Sequence, residues 1–285
     1  FDGGNVAPRA NPQTCGRKTT ETDFTPWSTP QTPDATPQDS FAIDAGANGG
    51  NCVSAESQEP NAPSFEVGTT NPLAGAYSPF VLKVSRDDGT QRLRSLNVNL
   101  PPGLLARLAG TPYCPDSALA AAAGRSGREE LASPSCPVAS EVGTVTVGVG
   151  PGAKPYYVQG HAYLAGPYKG GPLSLAIITP AVAGPFDLGT VVVRTALHVN
   201  QETAQVSARS DEFPTILAGT PLDIRSIALR LDKSQFTLNP TDCEAMSISS
   251  EAIATAGATA ALSNNFQVGG CRGLEFRPAL KIQLK

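Results

Sequence analysis

Charged side chains are scarce in this sequence. Asp, Glu, Lys and Arg make up 16% of its 285 residues, and the formal net charge is -4. A chain without an excess of positive charge produces no field that would hold a phosphate backbone. Nucleic acid is therefore not an expected partner.

Long apolar runs are missing as well. The longest run, at 173–182, is interrupted by Thr179 and Pro180, whereas a membrane-spanning helix needs about 20 consecutive apolar residues. We expect no membrane span in this chain.

Residues for acid–base and nucleophilic catalysis are few. Histidine occurs only at His161 and His198, and no serine lies in the Gly-x-Ser-x-Gly elbow of hydrolases. The carboxylates that a glycosidase would need lie mostly beside charged neighbours or turns, as solvated residues do. These are Asp187, Asp211, Glu212, Asp223 and Asp232. The sequence predicts no catalytic residue and no enzyme activity.

Two short segments superficially resemble ligand loops. Residues 166–171 lack the Gly-Lys-Ser/Thr ending of a phosphate loop, and no helix pattern follows them. Asp87, Asp88 and Gly89 lack the remaining ligands of a calcium loop. Both segments are interpreted as turns, so no cofactor or metal is expected.

Cysteine is the best indicator of the cellular compartment. The six cysteines form three neighbouring pairs along the chain: Cys15 and Cys52, Cys114 and Cys136, and Cys243 and Cys271. Six cysteines allow 15 connectivities, which sequence cannot distinguish, although each pair brackets a loop-like segment and so favours neighbour pairing. None of them has the close spacing of a zinc site. Structural disulfides indicate a secreted, cell-surface-associated protein.

The first 63 residues have a texture of their own. Closely spaced prolines stand among Thr, Gln, Asn and Ser, without apolar periodicity. Proline removes backbone donors and keeps a chain extended. Residues 1–63 are therefore predicted to form an extended arm or linker, with Trp27 as its large anchoring side chain.

From residue 64 onward, short apolar runs alternate with turn residues, which is typical of all-β sandwiches and barrels. We predict immunoglobulin-like, sandwich-type modules at 64–150 and 151–285. The segments 77–85 and 91–100 flank an Asp-Gly turn and are predicted to pair as a hairpin. Further strands are expected at 141–149, 156–165, 173–179, 189–199, 204–210, 222–231, 235–238, 245–254, 258–268 and 274–284.

A short helical segment interrupts the strands between Cys114 and Cys136. Proline and small polar residues at 115–117 precede an alanine-rich run that ends at Gly124, which are helix boundary signals. A second helical turn is expected at 128–132. A disulfide would pin this flap to the sheet.

The last candidate strand reaches Lys285 without a turn, so the natural chain is expected to continue into further domains.

Several phrases beyond the arm resemble a family of large, exported, multidomain proteins of high-GC Gram-positive bacteria. These are 68–72 (GTTNP), 100–104 (LPPGL), 136–140 (CPVAS), 142–145 (VGTV), 163–170 (YLAGPYKG), 184–189 (GPFDLG) and 239–243 (NPTDC). The resemblance covers 64–285 and implies further cysteine-paired β modules after this one. It supplies no catalytic residues.

A tyrosine cluster gives the one candidate ligand platform: Tyr156, Tyr157, Tyr163 and Tyr168. Tyrosine offers an apolar face and a polar tip that suit a sugar or protein surface, although it also fills ordinary strand positions. The predicted function is a non-catalytic structural or adhesive module whose partners are other protein modules or copies of itself. The alternatives are a carbohydrate-binding module for cell-wall or extracellular glycan, and a filament subunit assembled by strand addition.

Overall fold

The computed structural model describes residues 11–275 and 279. Residues 1–10 of the predicted arm and most of the candidate strand 274–284 lie outside the described residues. No helix between residues 11 and 275 is long and apolar enough to cross a membrane.

Strands dominate the fold, in agreement with the turn-punctuated apolar runs. In chain order they are β1 (Gly16–Glu21), β2 (Gln38–Ile43), β3 (Ser64–Thr69), β4 (Phe80–Ser85), β5 (Leu93–Asn99), β6 (Leu105–Ala106), β7 (Glu141–Val149), β8 (Tyr156–Ala165), β9 (Leu173–Ala183), β10 (Phe186–Val199), β11 (Val206–Ser210), β12 (Ile216–Leu217), β13 (Thr220–Pro221), β14 (Ile224–Leu231), β15 (Thr237–Leu238), β16 (Met246–Ala254) and β17 (Thr259–Phe266). The two α-helices of the described chain are α1 (Asp116–Ala123) and α2 (Gly127–Ala132). Short 3-10 turns lie at Ala47–Gly49, Glu56–Gln58, Val138–Ser140 and Cys271–Gly273.

Eleven strands form one antiparallel sheet in the order β17-β16-β5-β11-β10-β9-β8-β7-β14-β4-β3. Its two outer strands approach each other, since the Asn264 side-chain amide on β17 donates to the Phe65 carbonyl on β3 at 3.4 Å. The sheet therefore curves into a near-barrel, called the barrel below. The all-β prediction is confirmed.

The prediction of two sandwich-type modules, packed together or in series, at 64–150 and 151–285 is wrong. β14 lies between β7 and β4, and β16 lies beside β5, so strands from 151–285 are interleaved with strands from 64–150. A boundary at residue 150 would cut the backbone ladders on both sides of β14 and the ladder between β16 and β5. The two predicted modules are one sheet.

The predicted hairpin across the Asp-Gly turn is also wrong. β4 pairs with β3 and β14, whereas β5 pairs with β11 and β16. Both edges of each strand are thus occupied by other partners. The connecting loop is instead held by two buried arginines: Arg86 pairs with Asp223, and Arg225 pairs with Asp88.

One glycine lets two central strands approach closely. A Cβ on Gly143 of β7 would lie 2.0 Å from the carbonyl oxygen of Arg230 on β14. Backbone occupies that space, so no side chain fits there. The ladder between β7 and β8 is irregular at this point, between Glu141 and Gly143.

The helical flap is confirmed. Cys114 and Cys136 are bonded and buried, and α1 and α2 pack on β10 and on β9 and β10, respectively. The flap covers the outward-facing Tyr163, Ala176 and Ile178. Outer apolar residues of the barrel are thereby removed from water on this side.

The N-terminal segment is not simply extended. β1 and β2 form an antiparallel pair closed by the Cys15–Cys52 disulfide. The segment then contacts the barrel, because Glu56 pairs with Arg92 at 2.6 Å and the Asn61 amide donates to the carbonyl oxygens of Ala252 and Ala258. The sequence did not predict the backbone pairing of β1 with β2. This pairing and the disulfide hold the N-terminal segment in a defined conformation.

Candidate functional site

The interior of the barrel contains a cavity of about 400 Å³. Alternate residues of each strand point inward, and their side chains fill a small barrel, whereas a sheet of more strands encloses more space than they occupy. The side of this interior beside β3, β16 and β17 is packed by the largest hydrophobic cluster, which also contains cavity-lining residues such as Leu96 and Leu175. The hollow side lies beside the other strands of the sheet.

Aliphatic side chains from neighbouring strands form most of the cavity wall. Each contributing strand presents every second residue, as with Leu175 and Ile177 on β9 and Val193 and Leu197 on β10. These pairs lie in register, because Ile177 is opposite Val193 and Leu175 is opposite Thr195. The wall is a continuous apolar surface built by strand alternation.

A segment at 211–223, called the lid below, crosses one end of the barrel. It runs from the end of β11 to the start of β14, five strands away in the sheet of eleven, so it spans the opening. Its ends are fixed by hydrogen bonds from Asp211 N to the Arg194 carbonyl at 2.7 Å and from Gly150 N to the Asp223 carbonyl at 2.8 Å. Phe213, Leu217 and Leu222 of the lid line the cavity.

The opposite end holds a partial plug. Leu104 and Phe236 are buried there, beside the short β6–β15 pair. Leu105, Leu108 and Val199 also line the cavity, and they are 40%, 38% and 43% exposed. The cavity therefore reaches the surface beside the plug.

The cavity wall carries no charged side chain among its described residues. Its polar groups are the Tyr156 phenol and the hydroxyls of Thr179, Thr195, Ser210 and Thr237. The Ser210 hydroxyl donates to the Asp211 carbonyl at 2.9 Å, and the Tyr156 hydroxyl donates to the Val182 carbonyl at 3.3 Å. Such a wall removes apolar groups of a ligand from water.

The four tyrosines of the predicted platform do not share one surface. Tyr156 faces the cavity, whereas the adjacent Tyr157 points to the other face of β8 and is 57% exposed. Tyr163 is buried under the flap, where burial, together with the charges of Glu141 and Glu130, raises the pKa of its phenol to about 12. The geometry gives no flat aromatic surface from all four.

Tyr168 lies apart from the others, in the turn between β8 and β9. The Arg194 guanidinium stacks 4.0 Å from its ring centroid, and its hydroxyl donates to Asp211 Oδ2 at 2.8 Å. Burial and the hydrogen bond to Asp211 raise the pKa of Tyr168. Its ring and hydroxyl are engaged in contacts within the chain.

All three neighbour disulfides are present: Cys15–Cys52, Cys114–Cys136 and Cys243–Cys271. The described residues contain no free cysteine. They also contain no cluster of His, Cys, Asp or Glu that could hold a metal ion.

Asp187, one of the five carboxylates considered for a glycosidase, binds backbone. It accepts hydrogen bonds from the amides of Gly127 and Arg128 at the start of α2, at 2.7 and 2.9 Å. Backbone hydrogen bonds from Arg128 and Gly189 lower the pKa of Asp187. His161 Nδ1 lies 2.9 Å from Glu141 Oε1 on the outer face of the barrel, away from the cavity wall.

Comparisons with protein-family models, with curated proteins and with solved structures find no match.

The cavity was not predicted from the sequence. Alternation along strands such as 141–149 is the available signal, since it indicates which residues face inward. It contains no information on how many strands enclose them.

Proposed function

We propose that this chain is a non-catalytic binding protein that holds an apolar ligand inside the barrel. The observation that carries the proposal is the cavity of about 400 Å³, whose wall lacks charged side chains among the described residues. Ligand pockets are typically about 300 to 1,000 Å³ and mostly apolar. Protein interiors otherwise leave few voids larger than a water molecule.

Burial of apolar surface supplies the binding energy. Each methylene moved from water into such an interior contributes about 0.8 kcal/mol. Water is a poor occupant, because a buried water needs two to four polar partners. In this cavity two of the hydroxyl groups, on Ser210 and Tyr156, already donate to backbone carbonyls.

Two fluorescent probes of different shape test the proposal: parinaric acid, which is a polyene chain, and N-phenyl-1-naphthylamine, which is a pair of ring systems. Both become bright in apolar surroundings. Ala208 lines the cavity, so Ala208→Phe should occupy part of it, and Ala181→Leu gives a second filling variant at another lining position. Ala261→Phe is the matched control, since Ala261 is exposed on β17.

We expect saturable fluorescence from at least one probe with the parent chain and the Ala261→Phe control, and at least a tenfold loss of affinity in Ala208→Phe or Ala181→Leu. Absence of saturable binding by both probes would contradict the proposal. Equal binding by the parent and both filling variants would also contradict it, because the probe would then lie elsewhere.

We further propose that the chain is exported and works at the cell surface. The three disulfides support this, because cytosolic thiols are kept reduced, and the resemblance to exported multidomain proteins agrees with it. Fractionation of the producing cells with an antibody tests the location. Detection in the cytosol alone would contradict export.

An exposed aromatic group favours a contact role for the N-terminal segment, in line with the predicted adhesive module. Trp27 is 99% exposed and Phe24 is 60% exposed, and exposed aromatic residues are enriched at protein interfaces. If copies of the chain are the partner, sedimentation should show self-association that Trp27→Ala weakens. A parent chain that remains monomeric would rule out copies as the partner.

A further inference from the structure

The cavity is elongated along the barrel axis. Its lining residues extend from Leu173 to Ala183 along β9 and from Leu188 to Val199 along β10. Ten residues of strand span about 33 Å, and the tilt of strands in a barrel shortens the axial distance to roughly 25 Å. The lining residues therefore follow most of the barrel axis.

The elongated shape suits an extended hydrocarbon chain. Such a chain can contact the apolar wall along its whole length, which a compact ring system cannot do. The wall is also aliphatic for most of its length, with Leu175, Ile177, Val193 and Leu197 at its middle. Among the described residues, the middle of the wall presents no pair of aromatic faces between which a ring would stack.

Both ends of the cavity have exposed apolar residues. Beside the plug these are Leu105, Leu108 and Val199. At the lid end Ile216 is 64% exposed and Tyr156 is 49% exposed. An elongated ligand would therefore be covered by apolar side chains along its length and reach water only at its end, where a polar head group stays hydrated.

We propose that the ligand of the barrel is an unbranched alkyl chain, with its polar head at one end of the cavity. This inference rests on the proposed binding of an apolar ligand and specifies its shape. It predicts that a compact ring of the same carbon number binds more weakly.

Two alcohols with the same number of carbon atoms test the shape directly. Dodecanol is a straight chain, whereas cyclododecanol is a ring. Isothermal titration calorimetry of the full chain with each alcohol, and with octanol and decanol, measures the effect of shape and of length separately. Ala208→Phe and Ala181→Leu serve as two filling variants, and Ala261→Phe is the control.

We expect dodecanol to bind at least tenfold more tightly than cyclododecanol, and affinity to rise roughly fourfold with each methylene from octanol to dodecanol. Both filling variants should weaken dodecanol binding, and the control should not. Cyclododecanol binding equally well or better, with the same sensitivity to the filling variants, would overturn the alkyl-chain inference and leave the proposed function standing. Absence of binding by every alcohol and by both fluorescent probes would overturn both.

Discussion

Single small residues account for part of the hollow space. Ala208 on β11 lies opposite Leu197 of β10 and Val98 of β5, and all three face the interior. A methyl group stands where its neighbours carry larger branched side chains. In the packed half, by contrast, Ala252 lies opposite Leu96 of β5 and has no exposed surface. The same residue type therefore borders a void in one half and a close-packed core in the other.

This contrast predicts different stability effects for two identical substitutions. Ala208→Phe should leave the unfolding temperature unchanged or raised, because the ring enters existing space and buries apolar surface. Ala252→Phe should destabilise by about 1 to 3 kcal/mol or more, because it overpacks a filled core. Differential scanning calorimetry of both variants measures this. Equal destabilisation would mean that the space beside Ala208 is not available.

Glu56 gives a pH prediction at the residue scale. Burial by itself would raise its pKa, but hydrogen bonds from Arg92 and Thr255 and the Arg92 charge outweigh burial and lower the pKa from 4.5 to about 2. A carboxylate with a lowered folded-state pKa stabilises the fold above its unfolded pKa. This contribution is lost as the pH falls from about 4.5 through about 2.

We therefore expect Glu56→Gln to lower the free energy of unfolding by about 1 kcal/mol at neutral pH, since the pair is partly solvated. The difference from the parent should shrink as the pH approaches 2. Denaturant titrations at both pH values provide the measurement, with the exposed Glu66→Gln as control. A constant difference at all pH values would contradict this account of Glu56.

At the scale of elements, local patterns predicted what local forces determine. The observed limits of β7 and β8 coincide with the predicted 141–149 and 156–165, because period-two alternation is a property of the strand itself. Helix α1 followed from the proline, small polar residues and glycine at its boundaries. The pairing of β4 with β14 could not be predicted in this way. β14 lies far along the chain, whereas β5 follows β4 directly and was the nearest available partner in sequence. The residues around Asp88 favour a turn whether β4 pairs with β5 or with β14.

The disulfide of the flap should contribute strongly to stability. Cys114 and Cys136 close a loop of 22 residues, and such a crosslink contributes about 3 kcal/mol by restricting the unfolded chain. Replacing both cysteines by alanine should lower the free energy of unfolding by about that amount in denaturant titrations.

The Cys15–Cys52 disulfide crosslinks the N-terminal β1–β2 segment. The variant with both of these cysteines replaced by alanine is the matched comparison. That variant should leave the main unfolding transition of the barrel nearly unchanged, because the crosslink lies outside the eleven-stranded sheet. A similar loss in both variants would indicate that the N-terminal segment and the barrel unfold as one cooperative unit.

At the scale of the whole molecule, the closure of the sheet determines where a ligand would bind. Strands from both halves of the chain interleave around one interior, with a packed side and a hollow side. The inward residues of the site could be predicted from alternation, but the cavity could not. Its volume depends on how many strands enclose it, and that number follows from pairings between residues distant in sequence.

The most direct measurement of the central claim is the position of a bound chain relative to adjacent side chains of β10. Val193 lines the cavity, whereas Val192 points outward and packs beneath the helical flap. With isotope-labelled methyl groups and bound dodecanol, we predict intermolecular nuclear Overhauser effects to Val193 and none to Val192. Saturating dodecanol that gives no effect at Val193, or effects only at exposed residues such as Ile216, would contradict binding inside the barrel.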